Sequence, residues 1–151
     1  MRRQGGTTLL ELLTVIAIIG ILAAVAVPGA AGARRAFAGD AAARKLALVL
    51  RAAQARAQAR VSIVRVSVAE DGDYVVLDIP AGDAAAAEPV AAGQLGAGVH
   101  TNYPGGALEF GPRGWPCLPG ASSPRAGSFT IEGGSGDPDV IVQLAGCVRC
   151  G

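Results

Sequence analysis

The longest hydrophobic stretch of the chain lies near its N terminus, from Leu9 to Val27, where only Glu11 and Thr14 are polar. A helix of this length spans about 29 Å at roughly 1.5 Å per residue, close to the hydrocarbon thickness of a bilayer. Arg2 and Arg3 precede the stretch, and positive charge tends to stay on the cytoplasmic side. The pattern therefore predicts a transmembrane helix whose C-terminal side leaves the cytoplasm.

Glu11 needs an explanation, because a carboxylate at the centre of a membrane helix costs about 2.5–3.5 kcal/mol on insertion scales and less near an end. The dipole at a helix N terminus offsets part of this cost. If the chain were cut between Gly6 and Thr7, a new ammonium group would lie one helical turn from Glu11. The ammonium of a neighbouring copy could then pair with Glu11, which would make the carboxylate an assembly device.

The segment Gly6-Thr7-Thr8-Leu9-Leu10-Glu11-Leu12 resembles the N terminus of type IV prepilins. The resemblance implies a leader peptide over residues 1–6, cleavage between Gly6 and Thr7 by a prepilin peptidase, and N-methylation of Thr7. It also implies an assembly role for Glu11, fifth in the mature chain, and a proline about one membrane span later, here Pro28. The family usually has Phe where this chain has Thr7.

Three alternatives to this processing are open. A cut after Gly5 would place Glu11 sixth in the mature chain. The segment could be an ordinary signal anchor with an accidental glutamate. The small residues at positions 23–26 could also imitate a signal-peptidase site.

Residues 40–60 are rich in Ala, Leu, Arg and Gln and lack Gly and Pro, so they are predicted to continue the helix. Leu46, Val49, Leu50, Ala53 and Ala57 follow helical spacing and are expected to face a core. Arg44, Arg51, Arg56 and Arg60 are expected on a solvated face, with contact to neighbouring subunits as the alternative. Pro28 is expected to kink or interrupt the helix, because proline lacks an N–H group.

The period changes to that of strands after residue 60. Alternating valines predict a strand over residues 61–68, and a second strand is predicted over residues 74–79. The turn between them carries an Asp71-Gly72 hairpin signal. Further strands are expected at residues 98–101, 107–110, 128–132, 139–144 and 146–150. The fold class is therefore α+β, a long N-terminal helix packed on an antiparallel sheet domain. The predicted divisions are a leader (1–6), a transmembrane helix (7–27), a helix entering the domain (28–60) and a β-rich periplasmic domain (61–151).

The second half of the chain is similar to the GspH/FimT group of minor pilins and pseudopilins. Three segments carry the similarity, and they are residues 108–114, 127–131 and 140–149. The similarity implies a structural minor subunit of a type IV pilus or a type II secretion pseudopilus, with no enzyme activity and no cofactor. The implied partners are other pilin subunits, prepilin peptidase and the inner membrane, which a single helix would cross.

Charge is distributed unevenly along the chain, although the formal net charge is +1. Residues 34–65 hold eight Lys and Arg against one acid, whereas residues 66–151 hold ten acids against three Arg. Some FimT-like pilins bind DNA through a C-terminal Gly-Arg-x-Arg motif. Here only Arg149 matches that motif, with Arg113 and Arg125 as possible helpers. Because affinity for DNA normally needs several phosphate contacts, nucleic acid is not the expected partner.

Three cysteines, Cys117, Cys147 and Cys150, are expected outside the cytoplasm, where disulfides form. An extended Cys147–Cys150 segment would separate its Cα atoms by about 10 Å, more than the roughly 7 Å that a disulfide spans. Cys117 is therefore expected to pair with Cys147 or Cys150, if any pair forms. A metal site would need these cysteines and His100 together, and neither a metal site nor a role for His100 beyond a loop position is expected.

Overall fold

The computed structural model describes residues 9–80, 83–133 and 136–150, except for the side chains of residues 25–31 and 84. Helix α1 extends from Leu9 to Arg60. Two compact units divide the chain, the first ending at Arg34 and the second beginning at Arg35. Because α1 includes residues 40–60, the prediction that they are helical is confirmed. The helix is also continuous through position 28, so Pro28 does not interrupt it, while a bend there stays a prediction.

Within the described residues, nine strands follow the helix, joined by turns and loops. They are β1 (Ile63–Val68), β2 (Asp73–Ile79), β3 (Glu88–Gln94), β4 (Val99–Thr101), β5 (Ala107–Phe110), β6 (Pro116–Cys117), β7 (Gly127–Ile131), β8 (Asp139–Val142) and β9 (Val148–Cys150). One sheet has the order β3-β2-β1-β5-β6, and the other has the order β4-β7-β8-β9. All the strand pairs of both sheets are antiparallel. The architecture is α+β, as predicted.

The β1–β2 hairpin shows how the sequence dictates the first sheet. Val64, Val66 and Val68 are buried while the residues between them are partly exposed, as strand alternation requires. Gly72 has a φ of +86°, a left-handed conformation that glycine adopts without strain. The Asp-Gly signal in the sequence is thus confirmed as the turn of this hairpin.

The core lies between the second half of α1 and the inner faces of the strands. Leu46, Leu50, Ala53 and Ala57 are buried on one stripe of the helix, and Val49 packs partly buried against them. The strands contribute Val64, Val66, Leu108, Phe110, Phe129, Ile131, Val140 and Val142. Helical spacing identified this inward stripe correctly.

Two strands were not predicted, and both lie at an edge of the first sheet. β3 contains Pro89 and Gly93, residues that are depleted in strands, and an edge position tolerates them. β6 has only two residues. The first predicted strand also begins later than expected, at Ile63, because Val61 has a left-handed φ of +54° just after the helix ends.

Candidate assembly site

Glu11 lies in the first turn of α1, where it is exposed. The hydroxyl of Thr14, one turn later, donates a hydrogen bond of 2.9 Å to the backbone carbonyl of Glu11. Gly6 and Thr7 lie outside the described residues, so cleavage and methylation there stay predictions. The structure therefore places the carboxylate at the start of the helix, next to the segment that the processing motif concerns.

The helix around Glu11 exposes apolar side chains on every side. Among the described residues from Leu9 to Leu22, ten large hydrophobic side chains are 50–81% exposed. Within the part of the chain that the structure describes, no helix combines the length and hydrophobicity needed to cross a membrane. Helices that are apolar all round are typical of segments buried by lipid or by other helices.

The second half of α1 also presents an apolar stripe to solvent, opposite its buried stripe. Phe37 and Leu48 are exposed large hydrophobic residues. They belong to a row of exposed positions at helical spacing, which are Phe37, Ala41, Leu48, Ala52, Ala55 and Ala59. Arg44 and Arg51 are exposed beside them. This face of the helix has no partner within the described part of the second unit.

Arginines of α1 bind the sheets, which corrects the expectation of a uniformly solvated face. Arg56 Nε donates to Asp78 Oδ2 at 2.7 Å, and Arg60 Nη1 lies 3.8 Å from the same oxygen. Arg51 Nη2 donates to the backbone carbonyl of Val148 at 2.8 Å. Since Arg51 contacts β9 while Arg56 and Arg60 contact β2, these side chains fix both sheets to one helix.

Asp78 is a carboxylate on the inward side of β2, and its side chain is only 3% exposed. Burial raises its pKa, but the Ser62 hydroxyl, the hydrogen bond from Arg56 and the charges of Arg56 and Arg60 hold the pKa below its usual range. Ser62 Oγ and Asp78 Oδ1 are both buried, and neither meets the geometry of a direct hydrogen bond. Asp78 is therefore charged and held mainly through Oδ2.

Gly114 and Gly146 pack directly on the helix, and they lie in the segments 108–114 and 140–149 that carry the similarity to minor pilins. Gln54 Nε2 donates to the carbonyl of Gly114 at 2.9 Å. Gly114 and Gly146 have φ values of +77° and +82°, and a Cβ atom at Gly146 would overlap Gln54 and the Gly114 backbone. A Cβ atom at Gly114 would overlap the amide of Gln58. These glycines are needed because two loops and the helix meet there without room for a side chain.

All three cysteines are free thiols in the structure, so the predicted bridge from Cys117 to Cys147 or Cys150 is not formed in it. Cys150 Sγ lies 3.9 Å from the carbonyl oxygen of Ala43, whereas Cys117 lies in β6 opposite Glu109 and borders a hollow with Ile63, three residues after the helix ends. The helix rises about 26 Å between residues 43 and 60. Of the two predicted partners, Cys147 is therefore better placed than Cys150. Burial, and secondarily the carboxylate of Glu109, raises the pKa of the Cys117 thiol.

His100 and Arg149, two residues with minor predicted roles, lie in strands. His100 Nε2 is 2.8 Å from Glu132 Oε1, and both side chains are exposed, so His100 is a paired strand residue and not a loop residue. Arg149 is exposed on the edge strand β9, opposite Ile141. Among the described residues, no three His, Cys, Asp or Glu side chains are grouped to hold a metal ion.

Two features of the structure were not predicted from the sequence. The first is the Arg56–Asp78 pair, which the alternation of Tyr74, Val76 and Asp78 on β2 could have revealed, because an acid in an apolar stripe needs a cation. The second is the exposure of Trp115, the only tryptophan of the chain. No local pattern indicates that exposure, because it depends on how the loops pack.

Comparisons with known proteins agree with this architecture. Residues 1–27 match the prokaryotic N-terminal methylation motif, and residues 42–146 match the family of type II transport protein GspH. Two crystal structures of the type IV minor pilin FimU from Pseudomonas aeruginosa strain PAO1 have the same fold. One is 15% identical with a TM-score of 0.59, covering 74% of this chain and 91% of that chain. The other is 14% identical with a TM-score of 0.60, covering 75% and 87%. No curated protein sequence matches the chain.

A long N-terminal helix packed on antiparallel sheets, with a methylation motif at its N-terminal end, defines a pilin-like protein of the minor pilin and pseudopilin class. The chain belongs to the GspH family of type II transport proteins, whose model covers more than half of it. Membership of this family implies association with other pilin-like subunits.

Proposed function

We propose that the chain is a structural minor subunit of a type IV pilus or a type II secretion pseudopilus. Prepilin peptidase removes residues 1–6 by cutting between Gly6 and Thr7, and Thr7 is N-methylated. The single observation that carries this proposal is the methylation motif over residues 1–27, which includes the start of an apolar helix with Glu11 in its first turn. The subunit carries out no catalytic step and uses no cofactor, because its role lies in subunit contacts.

The helix first anchors the protein in the inner membrane, as a single span over residues 7–27. Support comes from the ten exposed apolar side chains between Leu9 and Leu22, which water would solvate poorly. Arg2 and Arg3 precede the span and keep the N terminus cytoplasmic. The sheet domain then lies in the periplasm, joined to the span by residues 28–60.

Glu11 makes entry into the filament favourable. In lipid its carboxylate is costly, and the position near the helix N terminus removes only part of that cost. The Thr7 ammonium of a neighbouring subunit supplies the counter-ion, and the attraction is strong because the surroundings have a low dielectric constant. The pair exists only between subunits, so it stabilises the filament relative to the free subunit in the membrane.

The exposed stripe with Phe37 and Leu48 extends subunit contact beyond the membrane. Its apolar positions recur at helical spacing on the face opposite the core. Such a face is typical of helices that pack against other helices. We assign this stripe to contacts with the helices of neighbouring subunits, with Arg44 and Arg51 at its border.

The proposal is tested by substituting Glu11 in the full chain in host cells. We expect Glu11→Val to insert into the membrane as well as the wild type and to enter sheared filaments at least about tenfold less, since the loss of 1.4 kcal/mol already corresponds to tenfold. Thr14→Val is the matched control, because it removes a polar group one turn away without removing charge. Quantitative immunoblots of membrane and filament fractions give the readout.

Two results would count against the proposal. Equal incorporation of Glu11→Val and wild type would refute the pairing of Glu11. A wild-type chain that never enters a filament fraction would refute the assignment as a pilus or pseudopilus subunit.

A further inference from the structure

Trp115 sits on the surface of the sheet domain, 42% exposed, although tryptophan is usually largely buried. It borders a shallow apolar hollow whose other lining residues are Pro124, Leu144 and Ala145. Leu144 is 56% exposed. We call Trp115, Pro124, Leu144 and Ala145 the Trp115 patch. Exposed apolar residues in one continuous patch are typical of contact surfaces.

Arginines adjoin this patch in a part of the chain, residues 66–151, that is otherwise mainly acidic. The Arg113 guanidinium lies 5.4 Å from the centroid of the Trp115 ring, within cation–π distance. Arg125 directly follows Pro124 and is exposed. These are two of the three arginines in residues 66–151. The patch is therefore basic and apolar, and tryptophan and arginine are the residues that most often dominate binding energy at interfaces.

The patch lies at the end of the domain where α1 terminates. Gln58 Nε2, near the end of α1, donates to the carbonyl of Arg113 at 3.4 Å. Val61 is exposed at the same end with a φ of +54°, a strained conformation for a β-branched residue where helices usually place glycine. An exposed apolar side chain is thus kept there at a conformational cost, which is independent support for a contact surface.

The opposite end of the same domain is acidic. Glu70 and Asp71 lie in the turn after β1, about 17 Å along the strand from Ile63 at roughly 3.3 Å per residue. Glu132 and Asp137 lie in the turn after β7, where Gly133 adjoins the backbone of Arg35. Arg35 is about 38 Å of helical rise from Arg60. Arg35 and Arg44 also lie at this end, but the acidic side chains outnumber them, so the domain has a basic and apolar end and a mainly acidic end.

We propose that the Trp115 patch is the docking surface for the acidic end of the sheet domain of a neighbouring pilin-like subunit. This inference rests on the proposed function. The two ends of one domain are complementary in charge, so a subunit with a similar acidic end can dock head to tail, which is a heterologous contact. Arg113 and Arg125 steer the approach, and Trp115 and Leu144, which become buried on docking, supply the affinity.

The experiment places the photoreactive residue p-benzoylphenylalanine at Leu144 of the full chain in host cells that assemble the filament. The control carries it at Val75, which is 40% exposed in β2 and apolar as well. After irradiation, cross-linked peptides from the filament fraction are mapped by mass spectrometry. We expect cross-links from position 144 to an acidic turn of a pilin-like subunit, at least about tenfold more abundant than from position 75.

A second set of variants tests the charges. Arg113→Glu in the position-144 background is expected to lower the cross-link yield about tenfold, and Lys at the cross-linked acidic residue of the partner is expected to restore it. Trp115→Ala is expected to lower the yield similarly. Protease resistance equal to that of the parent chain confirms that each variant is folded.

Several outcomes overturn the inference. Cross-links from position 144 to an acidic turn that are no more abundant than those from position 75, in filaments that contain the chain, refute the docking surface and leave the proposed function intact. Adducts that nuclease treatment removes would identify a nucleic acid as the occupant instead. A cross-link yield that neither Arg113→Glu nor Trp115→Ala changes would refute the contacts proposed for these two side chains. If the chain is absent from filaments, the proposed function fails first, and this inference fails with it.

Discussion

Asp78 and Arg56 form an ion pair in which the two partners are unequally buried. The Asp78 side chain is 3% exposed, whereas that of Arg56 is 30% exposed. An unpaired carboxylate in the interior is costly, but an arginine that reaches the surface can be hydrated. Removing Arg56 therefore leaves a buried charge without its closest partner, whereas removing Asp78 leaves an arginine that water can hydrate.

Replacing Arg56 with alanine is expected to lower the free energy of unfolding by about 2–4 kcal/mol, because Asp78 loses its closest cation and stays buried. The measurement is urea unfolding of the purified protein. Arg44→Ala, an exposed arginine of the same helix, is the matched control and is expected to change the free energy by less than about 0.5 kcal/mol. Equal losses for the two variants would show that the pair has no specific role.

The stability that Asp78 contributes should depend on pH. Its pKa is lowered in the folded protein, so its contribution is fully present above the unfolded-state value of about 3.9 and is lost as the pH falls through the folded-state pKa. We expect the gap in urea midpoint between wild type and Arg56→Ala to be constant near neutral pH and to narrow below about pH 4. A gap that widens on acidification would contradict this assignment.

Single residues differed in how far the sequence alone could define them. Glu11 was identifiable as one charge in an apolar run, although its assembly role stays a prediction. The contacts of Arg51 and Arg56 were not, because an arginine on a helix has the same local pattern whether it meets water or a sheet. The pairing of Asp78 depends on β2 lying against that helix, which only the tertiary fold decides.

At the scale of elements, the helix and strands with strong periodicity were predicted from the sequence, whereas two edge strands were not. The long helix and the β1–β2 hairpin follow from helical spacing, valine alternation and the Asp-Gly turn. β3 and β6 form because neighbouring strands offer unpaired backbone groups, and their own residues favour strands weakly. Such edge strands depend on the sheet beside them more than on their own sequence.

A matched pair of glycine substitutions tests how closely the last loops pack on the helix. Gly146 and Gly120 have similar φ values, +82° and +76°, but a Cβ atom would overlap Gln54 and the backbone at Gly146 and would meet nothing within 4 Å at Gly120. We expect Gly120→Ala to cost about 1 kcal/mol from backbone strain alone. Gly146→Ala should cost at least about 2 kcal/mol more, because overlap adds to the strain.

Thermal or urea unfolding of both alanine variants measures this difference. Equal destabilisation would mean that the loop at Gly146 moves freely away from the helix. In that case the close packing on Gln54 would not explain why glycine stands at this position.

At the scale of the whole chain, the two compact units have different surfaces suited to different surroundings. The described helix of the first unit is apolar on all sides, whereas the second unit has its own core and a mixed surface, with an apolar helix stripe and the Trp115 patch among charged residues. The sequence predicted other divisions, after residues 6, 27 and 60, and these stay predictions. It could not predict the exposed Trp115 patch or the acidic opposite end, since both are assembled from loops distant in sequence.

The central claim is that the chain is a prepilin, and the most direct measurement is its intact mass and N-terminal sequence in cells with and without prepilin peptidase. We predict a product that begins at N-methylated Thr7 in cells with the peptidase and at Met1 in cells without it. A chain that begins at Met1 in both, or after the small residues at positions 23–26, would contradict the claim. Glu11 would then have no ammonium to pair with, and the protein would be a signal-anchored or secreted domain.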